Sequence, residues 1–207
     1  MPSQMNSIEW WNDYFASQWE ANHGRDQTRH FISKLLENLP AREYRWLSSE
    51  PRTILDWGCA LGDGVDVLCS ELPKCEVSGL DFSRTAIEKA EAFYPHHRFI
   101  LAEDGAVSSD YDVIITSNCL EHYASPFDVA AQHVDRARYL YIAMVPFEEP
   151  EPIHESHIQR FTYESFPYQI GRFHCTSLTI FRPLPQYWNA PQAIACYASP
   201  EYQQAKE

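Results

Sequence analysis

The sequence predicts an α/β fold in which helices cover both faces of a doubly wound, mostly parallel sheet. Short apolar segments alternate with amphipathic segments between residues 51 and 147, which is the order of a βαβαβ series. The first apolar segment, residues 52–57, leads into a turn that contains Gly58 and Gly62, and helical spacing begins directly after it. A strand, a glycine turn and a helix in this order are typical of a nucleotide site.

The first fifty residues carry no strand pattern and predict two helices. The first helix is aromatic and runs from Trp10 to Trp19. The second spans residues 27–39, where an apolar stripe ends before Pro40. These helices form either an ordinary cap on the sheet or a lid over a ligand site.

The turn after the first strand favours a cationic ligand over a dinucleotide. Glycines at positions 58 and 62 let backbone N–H groups approach a ligand closely. A dinucleotide fingerprint also requires glycine at the positions of Ala60 and Asp63. The carboxylates of Asp56 and Asp63 would repel a pyrophosphate and attract an ammonium group. S-adenosylmethionine carries an ammonium and a sulfonium but no phosphate, so it fits better than NAD; a tight turn without a ligand is the alternative.

Acidic residues also follow the next two strands, which are predicted over residues 75–80 and 98–102. Asp81 lies 25 residues after Asp56, where an acid can accept both hydroxyls of a ribose. Phe82 offers a ring face to an adenine, and Asp104 offers an acceptor for its exocyclic amine. Each acid alone is typical of a strand end or a turn. Three of them in one βαβαβ series favour a nucleoside site.

Four motifs in residues 52–147 carry a family resemblance: Ile54-Leu55-Asp56-x-Gly58-x-Ala60-x-Gly62, Gly79-Leu80-Asp81-Phe82-Ser83, Glu103-Asp104-Gly105, and Tyr111-Asp112-Val113-Ile114 through Leu120-Glu121-His122. They resemble class I S-adenosylmethionine-dependent methyltransferases of the small-molecule type. The resemblance implies a Rossmann-like sheet of seven strands with an antiparallel strand near the C-terminus. It implies that the cofactor contacts Asp56, Gly58, Ala60, Gly62, Asp81, Phe82, Asp104, Gly105 and Asn118. Ala60 departs from the family pattern, in which glycine is commoner.

Within that set, the resemblance assigns residues 56 to 62 to the methionine part, Asp81 to the ribose, and Phe82, Asp104 and Gly105 to the adenine. It also implies that the N-terminal helices form a lid from which Gln27, Thr28 or Arg29 meets the methionine carboxylate.

All 207 residues are expected to form one domain. Residues 1–50 would be the helical lid, residues 51–147 the cofactor-binding core, and residues 148–207 the acceptor loop with the closing strands. The closing strands are predicted around residues 178–181, 187–188 and 193–197. The chain from residue 199 onward is expected to fray.

Two histidines are candidates for catalysis. The loop after the fourth strand should face the crevice at the carboxyl ends of the strands, and it carries His122. An imidazole titrates near neutral pH and can take the proton of an attacking hydroxyl. His157 precedes a Phe161-Thr162 segment that resembles the acceptor-covering loop of small-molecule methyltransferases. The alternatives are a structural histidine that caps or hydrogen-bonds within its loop at position 122, and a hydrated, acidic surface loop around position 157.

No metal site is predicted. Glu121 and His122 match a loop that carries a divalent cation in ubiquinone-pathway O-methyltransferases, but Asn118 stands where a further acid is found. His154 and His157 have the spacing of metal ligands, yet no further pair of ligands matches them.

Composition excludes several classes of protein. The formal net charge is −13 and the basic residues are scattered, whereas nucleic-acid binding requires clustered Lys and Arg. No segment is apolar enough to span a membrane, and the N-terminus lacks a signal-peptide pattern. Six cysteines without a C-x-x-C pair indicate reduced thiols and a cytoplasmic protein. The oligomeric state stays open, a homodimer included.

The sequence therefore predicts an enzyme that moves a methyl group from S-adenosylmethionine to a small molecule and releases S-adenosylhomocysteine. Oxygen is favoured as the acceptor, because residues 118–121 lack the Asn-Pro-Pro-Tyr loop of amine methylation. The alternatives are an N-methyltransferase of a small metabolite, a non-catalytic module that binds the cofactor, a nicotinamide oxidoreductase, and metal-dependent catechol methylation.

Overall fold

The computed structural model describes residues 3–204, which form seven α-helices and one mixed sheet. The helices are α1 (Ile8–Ser17), α2 (Gly24–Asn38), α3 (Ala41–Ser49), α4 (Asp63–Glu71), α5 (Arg84–Phe93), α6 (Pro126–Val134) and α7 (Pro200–Gln204). The strands are β1 (Thr53–Trp57), β2 (Glu76–Asp81), β3 (Arg98–Leu101), β4 (Tyr111–Ser117), β5 (Ala137–Pro146), β6 (Gln169–Ile170), β7 (Phe173–Phe181) and β8 (Gln192–Ala198).

The strand order is β3-β2-β1-β4-β5-β8-β7-β6. Strands β1 to β5 pair in parallel, and β8 is antiparallel between β5 and β7. The Rossmann-like, mostly parallel sheet with an antiparallel C-terminal strand is therefore confirmed. The expected strand number was wrong: the sheet has eight strands, because the two-residue β6 adds an edge beside β7.

Apolar residues on both faces of the sheet explain why helices cover both. In β1, Ile54 packs into a core with residues of α2, α3 and α4, and Leu55 packs into a second core with residues of α6. Ile115 and Ile114 of β4 divide in the same way. Successive side chains of a strand point to opposite faces, so a strand with no polar face requires helices above and below it.

The crevice of the fold lies where β1 neighbours both β2 and β4. The chain crosses from β1 to β2 on one side and continues through β4 and β5 on the other. At such a switch point the loops leaving the carboxyl ends of two adjacent strands diverge and leave an open space. Here those loops begin at Gly58 and Asn118.

The N-terminal segment is helical, as expected, and it packs against the crevice. Phe15 of α1 lies in a cluster with Leu61 of the glycine turn and Ala86 of α5. Asn12 accepts hydrogen bonds from the Ser83 hydroxyl (2.7 Å) and the Thr85 backbone N–H (3.1 Å) at the start of α5. Helix α3 is an addition that the sequence patterns did not predict.

The C-terminal end differs from the expectation of a frayed segment. Residues Pro200–Gln204 form α7, and Tyr202 is fully buried with its ring 5.0 Å from that of Trp46 on α3. Of the residues that were expected to fray, residues 205–207 lie outside the described part of the chain. Within residues 3–204, no helix combines the length and apolar character that crossing a membrane requires.

The carboxylate of Asp63 joins α4 to α2 and α5. It accepts hydrogen bonds from Arg25 (3.1 Å) and from the Tyr94 hydroxyl (2.5 Å), and Arg29 Nε lies 3.3 Å away. Asp63 is 1% exposed. This buried acid therefore holds three donors of neighbouring helices in one network.

We expect Asp63→Ala to lower the free energy of unfolding by about 2–3 kcal/mol, because the substitution leaves half-buried donors without their acceptor. The urea midpoint measures the change. Glu37→Ala, which removes an exposed carboxylate paired with Lys34 one helical turn away, is the control and should cost less than about 0.5 kcal/mol. Equal effects of the two substitutions would contradict the role of the Asp63 network.

Candidate functional site

A cavity of about 870 Å³ opens at the carboxyl ends of β1 and β4. The turn after β1, the end of β2 and the loop after β4 form its floor, while α1, α2 and the loop after β5 form its other walls. Single-ligand pockets measure about 300–1,000 Å³. This cavity lies near the top of that range, so it can hold a nucleoside ligand with a second small molecule beside it.

Both glycines of the turn after β1 have a left-handed backbone conformation, and neither position has room for a Cβ. Gly58 has a φ of 78°, and a Cβ there would lie 2.4 Å from Cys119 Sγ of the loop after β4. Gly62 has a φ of 83° and precedes α4, but it does not line the cavity. Ala60 lines the cavity with a φ of 48°, which is rare for a residue with a Cβ. The turn therefore brings backbone, and not side chains, close to the cavity.

Two buried carboxylates lie at the cofactor end of the cavity. Asp81 accepts hydrogen bonds from the backbone N–H groups of Ala60 (2.9 Å) and Ser83 (2.8 Å). Burial raises the pKa of Asp81 to about 6. Burial and the neighbouring charge of Asp81 raise the pKa of Asp56 to about 7. Two buried acids with raised pKa values favour a cationic ligand, which would stabilise their charged forms.

Several predicted cofactor residues do line the cavity. Gln27, Phe82 and Gly105 are part of its wall, as are Asp56, Gly58, Ala60, Asp81 and Asn118. The Gln27 side-chain amide already donates to the Tyr187 carbonyl (2.7 Å), so its second N–H and its oxygen are the groups left for a ligand.

Other predicted residues point elsewhere. Asp63 was expected to present its charge to the ligand, and this was wrong, because Asp63 pairs with arginines of α2 outside the cavity. Arg29 likewise pairs with Asp66 on α4 (3.0 Å). Asp104 is exposed, lies outside the cavity wall and accepts a hydrogen bond from the Ala106 backbone N–H (3.0 Å). The structure therefore does not bring Asp104 to the adenine position that the resemblance assigned to it.

The two candidate histidines meet at the other end of the cavity. Their ring centres are 5.2 Å apart, although His122 follows β4 and His157 follows β5. The His122 Nδ1 lies 2.9 Å from the Ser156 carbonyl oxygen, and the His157 Nδ1 lies 2.6 Å from Glu149 Oε2. A carbonyl oxygen and a carboxylate accept hydrogen bonds, so each Nδ1 carries the proton and donates it. Each Nε2 therefore keeps a free lone pair.

Burial sets the charge of this end of the cavity. It lowers the pKa of His122 to about 4, and it lowers the pKa of His157 even though the Glu149 carboxylate acts in the opposite direction. Burial raises the pKa of Glu121, which lies beside His122, to about 8. Because burial lowers the pKa of both histidines, both imidazoles are uncharged at neutral pH.

Trp11, Glu149 and Ser156 shape the histidine end together with Trp188, and the sequence patterns missed the first three. The Trp11 ring centre lies 5.0 Å from that of His122, and the Trp188 ring centre lies 5.5 Å from that of His157. Glu149 orients His157, and the Ser156 carbonyl also accepts a hydrogen bond from Asn6 Nδ2 (2.8 Å). Glu149 lies in an acidic segment whose spacing carries no signal that would distinguish one acid from the next.

The family model Methyltransf_12, described as a methyltransferase domain, matches residues 55–138. Residues 55–138 are therefore similar to a methyltransferase domain. The match includes the glycine turn, both buried acids and His122, and it ends before the loop that carries His157.

Solved structures share this fold at low sequence identity. A chain in the complex between the Haloferax volcanii Trm112 methyltransferase activator and the putative methyltransferase superposes with a TM-score of 0.73 at 14% identity, covering 92% of this chain and 97% of that one. Magnesium protoporphyrin IX methyltransferase of Synechocystis PCC 6803 gives 0.69 at 13% identity, covering 96% and 100%. The plantazolicin methyltransferase BpumL gives 0.65 at 14% identity, covering 93% and 95%. The methyltransferase fold therefore extends over nearly the whole chain.

We expect the Asp56 carboxyl group to make the ligand-free protein less stable as the pH rises from about 4 to about 8. The pKa of Asp56 rises from 3.8 to about 7 on folding, so the unfolded chain releases this proton first. The stability from Asp56 is complete below the unfolded pKa and is lost as the pH rises through the folded pKa. The full effect is on the order of 2–4 kcal/mol.

Asp56→Asn, which cannot ionise, should therefore flatten the pH profile of the melting temperature and raise the melting temperature of the ligand-free protein at pH 8. Asp110→Asn at an exposed acid is the control and should leave the profile as it is. Parallel profiles for the wild type and Asp56→Asn would contradict the raised pKa.

Proposed function

We propose that the protein transfers a methyl group from S-adenosylmethionine to an oxygen atom of a small-molecule acceptor. The observation that carries this proposal is the single cavity in which two buried acids lie at one end and two uncharged histidines at the other. A sulfonium held against the acids would lie between the cofactor end and the histidine end. The cavity can therefore hold both reactants at once.

The chemistry of the cofactor end supports S-adenosylmethionine. Its ammonium matches the Asp56 carboxylate, and its ribose hydroxyls can donate to Asp81, whose buried carboxylate lies at the end of β2. Phe82 and Gly105 in the cavity wall suit the adenine. The Synechocystis enzyme was crystallised with S-adenosylmethionine, and BpumL with S-adenosylhomocysteine. A dinucleotide pyrophosphate would face the same two acids and be repelled.

The histidine end supports transfer to oxygen. The attacking oxygen forms a bond to the methyl carbon while the carbon–sulfur bond breaks, and sulfur keeps the electron pair as S-adenosylhomocysteine forms. The hydroxyl must lose its proton, and the uncharged His122 and His157 assist that loss. Holding both reactants in one enclosed cavity supplies most of the rate.

The side chains around the histidines support a small-molecule acceptor. The free cysteines support a reducing compartment. The indole rings of Trp11 and Trp188 lie against the imidazoles in the cavity wall, and aromatic rings suit an organic molecule better than a polyanion. All six cysteines are unpaired, which supports a cytoplasmic location.

Calorimetric titration tests the cofactor. We expect S-adenosylmethionine and S-adenosylhomocysteine to bind with micromolar affinity and NAD not to bind. Asp81→Ala should abolish the binding, because the substitution removes both the ribose acceptor and the bond that fixes Ala60 N–H. Asp110→Ala at an exposed acid is the matched control. Preference for NAD, or no binding of either adenosyl ligand, would refute the proposal.

The acceptor is sought by incubating the protein with methyl-labelled S-adenosylmethionine and panels of hydroxyl, carboxyl and amine compounds. For the best acceptor, we expect His122→Ala or His157→Ala to lower kcat by about 10²–10⁴-fold. The S-adenosylhomocysteine affinity should stay within about twofold, because neither histidine belongs to the cofactor end. Cofactor binding without any transfer would favour the non-catalytic module, and transfer only to amines would favour N-methylation.

A further inference from the structure

We propose that Glu121, His122 and His157 bind a divalent transition-metal cation at the acceptor end of the cavity. One potential ligand atom from each of the three residues lies within 4.8 Å of the other two. All three residues line the cavity. The metal site stands on this geometry alone, and only its use in catalysis rests on the proposed function.

The donor set comes from two separate loops that the fold brings together. Glu121 and His122 lie in the short 3₁₀ turn Leu120–His122 after β4, and His157 lies in the loop after β5. The backbone joins these loops directly, since the Glu121 carbonyl accepts from the N–H groups of Ile158 (2.8 Å) and Gln159 (3.1 Å). The three side chains are therefore held by fixed backbone and not by a mobile surface.

Each imidazole makes the kind of hydrogen bond through Nδ1 that histidines bound to a metal make through their other ring nitrogen. Histidines that bind a metal donate the other ring N–H to a carboxylate or a backbone carbonyl, which fixes the tautomer and the ring orientation. His157 donates to the Glu149 carboxylate and His122 donates to the Ser156 carbonyl. Glu149 is itself fixed, because its other oxygen accepts from the His154 backbone N–H (2.9 Å). The Nε2 lone pairs remain for a cation.

Glu121 supplies a carboxylate that has no other evident use. It is 1% exposed, and its Oε2 has no hydrogen-bond partner within the described part of the chain. A buried carboxylate oxygen without a donor is costly, and a cation would satisfy it.

The ligand types indicate which cation fits. Two imidazoles and one carboxylate suit Zn²⁺, Fe²⁺ or Mn²⁺, whereas Mg²⁺ and Ca²⁺ prefer sets made of oxygen alone. Three protein ligands leave further coordination positions open toward the cavity, as in catalytic metal sites.

This inference revises the prediction from sequence. That prediction rejected a metal because Asn118 replaces an acid four residues before His122. The structure instead supplies His157, which lies 35 residues after His122 and donates a hydrogen bond to the Glu149 carboxylate. The third ligand therefore comes from a long-range contact.

A cation here would deepen the proposed function. A divalent cation held there would lower the pKa of a bound hydroxyl group, which would then lose its proton to water more readily. The histidines would then assist deprotonation as metal ligands and not as bases. The open coordination positions would select acceptors that carry an oxygen donor.

The test uses the full-length protein stripped of metal with a chelator. Co²⁺ is added while visible absorption is recorded, and Zn²⁺ binding is measured by calorimetry. We expect one cation per chain and a Co²⁺ spectrum of low coordination number. His157→Ala and Glu121→Gln should abolish binding, and Glu149→Gln should weaken it by about 10–100-fold. His97→Ala, which removes a histidine paired with Asp66 outside the cavity, should leave the affinity unchanged.

The S-adenosylhomocysteine affinity of each variant shows whether the fold and the cofactor end are intact, and it separates this proposal from the proposed function. Normal cofactor affinity together with no saturable cation binding in the wild type would overturn the metal site and leave the methyltransferase proposal standing. Cation binding of equal strength in wild type, His157→Ala and Glu149→Gln would also overturn it.

Discussion

The end of β2 fixes the backbone of the glycine turn, and the rest of the cavity depends on that attachment. The Leu80 carbonyl accepts from Gly58 N–H (2.8 Å) and Cys59 N–H (3.0 Å), and the Asp81 carboxylate accepts from Ala60 N–H. Three successive residues of the turn are thus held by two residues of the neighbouring strand. The turn also packs against α1, because Phe15 of α1 lies in a cluster with Leu61 of the turn. The contact between β1 and β2 therefore fixes the turn that forms part of the cavity floor, and the same turn is the surface against which α1 packs.

The two buried acids of the cavity, Asp56 and Asp81, suit a cationic ligand but lower the stability of the ligand-free protein. The same acids that suit a cation are buried, and burial raises the pKa of Asp56 and Asp81. An apolar pair in their place would give a more stable ligand-free protein but no attraction for an ammonium group. At the opposite end Glu121 has the same character, because its carboxyl group is buried and its Oε2 has no hydrogen-bond partner among the described residues. A positively charged ligand bound at either end would therefore stabilise the folded protein.

Local patterns predicted the parts of the molecule that depend on neighbouring residues in sequence. The parallel strands, the glycine turn and the helix that begins after Ser83 were all predictable, because their periodicity and capping are local. The tertiary contacts of the charged side chains and of the histidines were not predictable from the sequence. The sequence shows Asp63 beside the turn, but only the fold shows that Arg25 of α2 neutralises it. The pairing of His157 with Glu149, and its approach to His122, depends on two loops that meet only after the sheet has formed.

The Ser156 carbonyl is shared between two donors from distant parts of the chain. It accepts from His122 Nδ1 and from the side-chain amide of Asn6, which lies just before α1. The same oxygen thus orients His122 at the histidine end of the cavity and holds the residue just before α1. A substitution of Asn6 would therefore reach His122 through this shared oxygen, although the two residues are 116 positions apart in the chain.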